Sequence, residues 1–288
     1  MEWSGQTGGT RWQQRALVVL FRHIHIRIIY AVMSVWLLYY IISRPKNTNA
    51  IYRFHRDCFR RNCLQACVDV YRSYYRFGEA IMDRFAVYGG KKFNVEVKNK
   101  ALFDNLDRSS DGFVMLFSHF GNTEIAGYSL RSDNKKLYIL SYEGETETVK
   151  ENRQKALEKN NMDIIFVKED MSHVFDVYNA INQGNIILLT ADRVIQSKTI
   201  LCDFFNRKAK FPIGAFQLAL STHKPIIAIF AYKTNSTTYQ IDVEPIEPIA
   251  AGSRMEKVQN VAQQFATLLE NKVKNNPYQW FNFYDFFK

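Results

Sequence analysis

The chain is poor in the residues that staple, break or loosen a fold: of 288 positions only 4 are Cys, 6 are Pro and 13 are Gly. Four cysteines in a chain this long, Cys58, Cys63, Cys67 and Cys202, make no disulfide framework, which points to a reducing, cytoplasm-facing environment. Cys58, Cys63 and Cys67 form no zinc-type cluster, and none of the histidines has metal-ligand spacing, so no metal is expected. The scarcity of Gly and Pro, against 47% hydrophobic and 15% aromatic residues, excludes disordered and collagen-like classes. No G-x-S-x-G nucleophile elbow occurs, which removes the usual serine acyl-enzyme. A long uncharged run is lacking too. The longest candidate, Ile28–Ser43 (IIYAVMSVWLLYYIIS), reaches about 24 Å as a helix, short of a bilayer core of roughly 30 Å.

That run is flanked by Arg22 and Arg27 on one side and by Arg44 and Lys46 on the other, so it reads as a membrane-contact segment. An in-plane helix, a re-entrant one, a span helped by snorkelling arginines and a buried core helix all stay open. No small-residue cleavage site follows it, which argues against a cleavable signal. The formal net charge of +10 is concentrated nearby: residues 1–90 carry 13 Lys/Arg against 5 Asp/Glu, and residues 91–288 carry 25 against 23. Such a patch suits anionic headgroups, an acidic carrier protein or nucleic acid alike. Next to a greasy segment the membrane surface is the expected partner, and no nucleic acid is expected.

Residues 1–48 are therefore expected to form a basic, hydrophobic attachment segment, and residues 49–288 the main domain. Arg44–Asn49 reads as a polar connector, followed by a long helix whose apolar stripe runs through Cys63, Cys67, Val70, Tyr74, Phe77, Ile81 and Phe85 to a stop at Gly89-Gly90. The arginines interspersed there are expected to face solvent or headgroups. His23 and His25 fall in the basic approach to the apolar run, and His55, His173 and His223 have no evident partner.

Beyond Gly90 short aliphatic runs alternate with helical stretches. Strands are expected at Phe113–Phe117, Leu137–Ser141, Ile164–Val167, Ile186–Thr190, Pro225–Ala231 and Tyr239–Val243. Helices are expected at about Thr123–Ser129, Thr146–Lys159, Met171–Gln183, Pro212–Leu220 and Met255–Val273. The alternation predicts an α/β fold, a mixed and largely parallel sheet flanked by helices, with the N-terminal hydrophobic helix attached.

The segment Ser118-His119-Phe120-Gly121-Asn122-Thr123-Glu124 follows the first strand of that sheet, at the carboxyl end where open α/β sheets collect their sites. A His with a nearby carboxylate can deprotonate a hydroxyl, because the carboxylate fixes the tautomer and stabilises the imidazolium. By spacing alone His119 and Glu124 are equally a turn residue and a helix N-terminal charge.

The string His119-Phe120-Gly121-Asn122-Thr123-Glu124 resembles the H-F-G-N-W-E signature of the bacterial lipid A late acyltransferases (lauroyl/myristoyl type), a branch of the glycerolipid acyltransferase superfamily. Further blocks follow in order: Thr190-Ala191-Asp192-Arg193, then Asp203-Phe204-Phe205 through Lys210-Phe211-Pro212-Ile213-Gly214-Ala215. Lys224-Pro225-Ile226-Ile227 and the terminal Pro277-Tyr278-Gln279-Trp280-Phe281, similar to P-x-Q-W, complete the series, and Trp3-Ser4-Gly5 with Thr7-Gly8-Gly9 opens it.

The resemblance implies an O-acyltransferase of glycerolipid acyltransferase-like fold, with His119 as general base and Glu124 as its partner. The co-substrate would be acyl-carrier protein or an acyl-CoA thioester, with no other cofactor. A membrane lipid would be the acceptor, at the bacterial inner membrane with the catalytic domain facing the cytoplasm. Arg193, with Lys208 and Lys210, would hold an anionic group of donor or acceptor; Asn122 would lie at the substrate, and Asp192 would anchor Arg193 or the local turn. Gly121 and the N–H groups after it would meet the oxyanion. Thr123 stands where the family carries Trp, and the tail Asn282–Lys288 is aromatic rather than basic. Other hydroxyl acceptors, such as an amino-acid lipid, a glycolipid, or a polyene or pigment head group, therefore stay open. So do a hydrolase and a non-catalytic basic membrane or nucleic-acid binder.

Overall fold

A continuous apolar strand buried on both faces is the axis of the molecule: in β2 (Phe113–Gly121), Phe113, Val114 and Leu116 have no solvent exposure. The computed structural model describes residues 21, 24–141, 160–194 and 198–287. β2 pairs in parallel with β5 (Ile186–Thr190) on one side and β8 (Ile226–Lys233) on the other. β3 (Leu137–Ser141) and β4 (Met162–Phe166) continue the sheet beyond β5, again in parallel. Beyond β8 lie β9 (Thr238–Ile246), antiparallel to β8, and β1 (Asn94–Lys98), parallel to β9. The order is β1-β9-β8-β2-β5-β3-β4, so the expected mixed, largely parallel sheet is present.

Because side chains alternate along a strand, each face of the sheet builds its own core. Val114, Leu116, Phe120, Ile187 and Leu189 face the layer formed by α6 (His173–Asn182), α7 (Ile213–Ser221) and α8 (Arg254–Asn275). Phe113, Met115 and Leu188 face α4 (Lys100–Arg108) and α5 (Thr123–Ser129). The expected helix Thr146–Lys159 lies outside the described residues. Between β5 and α7 lies an antiparallel hairpin that is not among the expected strands, β6 (Thr199–Phe204) and β7 (Arg207–Pro212), packed on α8 through Ile200, Cys202, Phe204, Ala209 and Phe211.

The N-terminal region departs most from the sequence reading. α1 (Ile26–Ser43) is followed after a single residue, Arg44, by α2 (Pro45–Phe59). The expected connector is helical because Pro45 occupies the first turn, where its missing N–H has no intrahelical partner to lose. The chain breaks again at Arg60, whose φ is +53°, and Asn62 starts α3 (Cys63–Tyr88) with a capping box to Gln65.

The face that α3 buries is rotated from the apolar stripe: Cys63 and Cys67 are exposed, while Asp69, Ser73, Glu79 and Asp83 are buried with Val70 and Tyr74. Hydropathy misses these acids because each is buried with its own cation or hydroxyl. Asp69 takes Arg61 at 3.0 Å and Arg72 at 3.5 Å, and Glu79 takes Arg76 at 2.7 Å. Most of the arginines expected to face solvent or headgroups thus hold carboxylates of the fold. Asp83 meets Lys233 Nζ of β8 at 2.6 Å and accepts from the hydroxyls of Tyr30 and Tyr239, joining α1, α3 and two strands in one buried ionic cluster. His55 also has a partner, Ser73 Oγ at 3.1 Å, and the Asp69 carboxylate lies 3.6 Å from its Nδ1, beyond hydrogen-bond reach.

Among the described residues α1 is the one helix long and apolar enough to cross a membrane by length and composition. Its Ile29, Tyr30 and Leu37 pack inward, whereas Val32, Val35, Trp36, Tyr39 and Ile42 are exposed, an unpartnered apolar face next to the basic flank.

Candidate active site

His119 sits on the last, irregular part of β2. The pairing with β8 shifts register between Phe117 and Gly121, so the strand bulges where the imidazole projects. The strand runs past its expected end at Phe117 because the C-terminal segment crosses it. Phe281 N–H donates to His119 O at 2.8 Å, Gly121 N–H to Gln279 O at 2.7 Å, and Phe120 bridges Trp280. Gln279 is itself fastened to both the N–H and the carbonyl of Lys233, at 2.8 and 2.9 Å. The catalytic candidate is therefore held by three non-contiguous pieces of chain.

The carboxylate on His119 is that of Asp192, at the end of the neighbouring parallel strand. Asp192 Oδ1 lies 2.8 Å from His119 Nδ1, and Oδ2 accepts the His119 backbone N–H at 2.8 Å. Trp280 Nε1–H donates to the same Oδ2 at 3.0 Å. Asp192 is 2% exposed, while the His119 side chain is 31% exposed, so the acid is interior and the imidazole reaches the surface. Burial alone would raise the Asp192 pKa, but the adjoining His119, the Arg193 charge and the Trp280 N–H prevail and hold it below the usual carboxylate range. A carboxylate at Nδ1 places the proton of a neutral imidazole there and leaves Nε2 with the lone pair, the tautomer a general base needs.

This geometry changes the assignment of partners. Asp192 is hydrogen-bonded to His119 and Trp280, with the Arg193 charge beside it. Glu124, in the first turn of α5, meets Arg84 Nε at 2.9 Å and the Tyr88 hydroxyl at 3.4 Å, two residues of α3. Gly121 has a positive φ of 68°, and a Cβ there would lie 1.8 Å from Ala231 O, so only glycine fits. Its N–H and that of Asn122 are already committed, to Gln279 O and Ala231 O at 2.7 Å each, which withdraws both from an oxyanion role. The Asn122 side chain caps α5 through Ile125 N and donates to Ala80 O at 3.1 Å, so it is a buried brace between α3 and the catalytic turn.

Arg193 is half-buried and donates to Phe281 O at 3.1 Å, tying the end of β5 to the C-terminal segment. Burial pulls its pKa down, against the charge of Asp192. Lys208 and Lys210 project from the solvent face of the β6–β7 hairpin, and Lys208 pairs with Asp203 at 2.8 Å. Neither lysine is brought to the His119–Asp192 pair by any contact. Two contributors were missed as site residues: Trp280, whose indole holds the acid, and Arg84, which holds Glu124. The terminal Gln279-Trp280 pair was a visible signal for the first. The second had none, since α3 is distant in sequence.

The sequence profile of the bacterial lipid A biosynthesis acyltransferase family matches residues 76–288, from the second half of α3 to the C-terminus. The crystal structure of the 1-acyl-sn-glycerophosphate (LPA) acyltransferase PlsC from Thermotoga maritima aligns at 14% identity, covering 94% of this chain and 99% of that one, with a TM-score of 0.42. That likeness is too loose to define the fold by itself. A search of curated proteins finds no match.

Proposed function

The chain belongs to the bacterial lipid A biosynthesis acyltransferase family, and from that premise we propose that it moves a fatty acyl group from an acyl-carrier-protein or coenzyme A thioester to a hydroxyl of a membrane lipid or glycolipid. Membership makes it a lipid acyltransferase; the donor, the acceptor and the division of labour in the site are our reading. The observation that carries it is the carboxylate-bound imidazole: His119 Nδ1 on buried Asp192, with a partly exposed ring at the end of a parallel strand.

In this reaction His119 Nε2 takes the proton of the acceptor hydroxyl as its oxygen attacks the thioester carbonyl carbon. The C–S bond then breaks, and the thiolate leaves with the proton that the imidazolium returns. Asp192 keeps the tautomer and stabilises the transient cation, the orienting role assigned from the sequence to Glu124. Glu124 and Arg84 form a charged pair beside the site, suited to placing a polar headgroup. Attack is direct, because Ser118, the nearest hydroxyl in sequence, is buried with 1% exposure.

The exposed apolar face of α1 and the surrounding arginines support attachment to the bacterial inner membrane, with the four free cysteines favouring a cytoplasmic site. Purified protein incubated with labelled acyl thioester and a lipid extract tests the proposal. Labelled lipid is the expected product, whereas labelled free fatty acid as the sole product would make the protein a hydrolase.

A further inference from the structure

The buried charges that join the helices to the sheet lie directly behind the catalytic turn. Asp83 of α3 is fully buried, Lys233 at the end of β8 is 3% exposed, and their ion pair at 2.6 Å is completed by the hydroxyls of Tyr30 and Tyr239, both of which donate to Asp83. Lys233 Nζ also lies 3.8 Å from buried Glu79 and over the rings of Tyr30, Phe93 and Tyr239, at 4.5, 5.4 and 5.5 Å from their centroids. Apolar side chains of the same volume often stabilise a core as well as such a pair, because desolvation offsets the attraction. What the charged cluster adds is direction, since each bond fixes one atom against another.

Two routes lead from this cluster to the turn that carries His119. The first runs through the backbone of Lys233, whose N–H and carbonyl are both held by the Gln279 side chain, while the Gln279 carbonyl accepts the Gly121 N–H at 2.7 Å. The second runs through Tyr239, whose hydroxyl lies 3.5 Å from Asn122 Nδ2. Asn122 in turn caps α5 and donates its backbone N–H to Ala231 O at 2.7 Å, on the strand that ends in Lys233. Burial and the Asp83 charge raise the Tyr239 pKa, so the phenol keeps the proton that it donates. There is no slack where the routes meet, since a Cβ on Gly121 would collide with Ala231 O. His119 stands on the bulge that these bonds define.

We propose that Tyr30, Asp83, Lys233 and Tyr239 are positioning residues for His119: their buried cluster fixes the catalytic turn against β8 and the C-terminal segment, so that Nε2 faces the acceptor hydroxyl. They act through Gln279, Gly121 and Asn122 rather than on the substrate. The inference rests on the acyl-transfer reading for the reaction that His119 serves, and on the contacts above for the lock itself. A misplacement of about 1 Å at a reacting group costs roughly 100-fold in rate, so such a lock is felt in kcat. Tyr30 is the contribution of α1, whose opposite face is the unpartnered apolar one. The helix assigned to the membrane surface thus also closes the cluster behind the catalytic turn.

The discriminating variant is Lys233→Met combined with Asp83→Leu, which exchanges the ion pair for apolar side chains. Its urea midpoint is expected to recover part of what Lys233→Met alone loses, while kcat for acyl transfer stays about 10- to 100-fold down and the KM values for thioester and lipid stay nearly constant. A kcat that recovers together with the midpoint overturns the proposal, because the cluster then acts through stability alone. Tyr30→Phe and Tyr239→Phe keep the rings and remove one hydroxyl each, and they decide the matter where the double variant fails to fold or to regain stability. Each is expected to lower kcat about tenfold at constant KM, and wild-type kcat in both overturns the proposal. The local readout is the His119 Nδ1–H proton resonance, assigned by its loss in His119→Ala. It is expected to move in Tyr30→Phe and Tyr239→Phe, and a resonance unmoved in both overturns the proposal. A wild-type protein that transfers no acyl group contradicts the acyl-transfer reading, and the same resonance then still decides for or against the lock.

Discussion

Replacing Asp192 by Asn keeps the volume and removes the charge, and the hydrogen bonds around it dictate the consequence for His119. Asp192 accepts three N–H groups: the His119 backbone and Trp280 at Oδ2, and Nδ1 of His119 at Oδ1. An amide has one acceptor oxygen. If that oxygen serves the two donors at Oδ2, the amide NH2 faces Nδ1, which must then lose its proton and become an acceptor. The imidazole proton moves to Nε2, and the atom meant to take a proton from the acceptor hydroxyl already carries one. Loss of a positioned general base costs about 10²- to 10⁴-fold in rate, equivalent to roughly 3–5 kcal/mol of barrier. The fold loses about 1–3 kcal/mol for a buried charge-assisted bond exchanged for a neutral one. The assay is the initial rate of label transfer at saturating lipid, with the thioester KM measured alongside. A fall in kcat of roughly 100-fold or more with KM nearly constant is expected. The reasoning fails if Asp192→Asn retains turnover close to wild type while Glu124→Gln loses about a hundredfold, because that pattern makes Glu124 the partner of His119.

Trp280→Phe keeps the aromatic packing but deletes the N–H on Asp192, so kcat should fall about tenfold, with a smaller effect on the melting temperature than Trp280→Ala, which also opens the core. Lys233→Met leaves the fully buried Asp83 carboxylate without its cation and should destabilise by about 3–5 kcal/mol in urea titration; adding Asp83→Leu should restore part of that loss. His55 is held neutral by burial, with its pKa pushed down to about 4 against the pull of Asp69, whereas in the unfolded chain it titrates near 6.5. The unfolded chain therefore binds the extra proton first, and about 3 kcal/mol of stability present above roughly pH 6.5 is lost as pH falls towards about 4. His55→Gln should flatten urea midpoints across that window, and an unchanged slope would refute the assignment.

The sheet was legible because its central strands are unbroken aliphatic runs: Phe113–Phe117, Ile186–Thr190 and Ile226–Ala231 carry no competing pattern. The exposed–half-buried alternation of β1 and the short hairpin β6–β7, with Lys208 and Lys210 on either side of buried Ala209, were too brief and too polar to register. In α3 the hydrophobic stripe misled, because the buried face is marked by Asp69, Glu79 and Asp83, whose charges are met within the fold. The same limit applied at the site. His119 could be picked out by motif, but the carboxylate that reaches it comes from a residue 73 positions away. The family resemblance pointed to Glu124, in the same short segment, whereas parallel pairing of β2 and β5 delivers Asp192. Trp280 was visible as a terminal motif, and its role became readable only once the C-terminal segment was seen crossing β2.

The measurement closest to the central claim is acyl transfer by purified His119→Ala, compared with wild type under identical lipid and thioester conditions, with the fold checked by circular dichroism. The account predicts a folded protein whose transfer to lipid is reduced about a thousandfold or more, near the uncatalysed background. A folded His119→Ala protein that forms acylated lipid at the wild-type rate would contradict it.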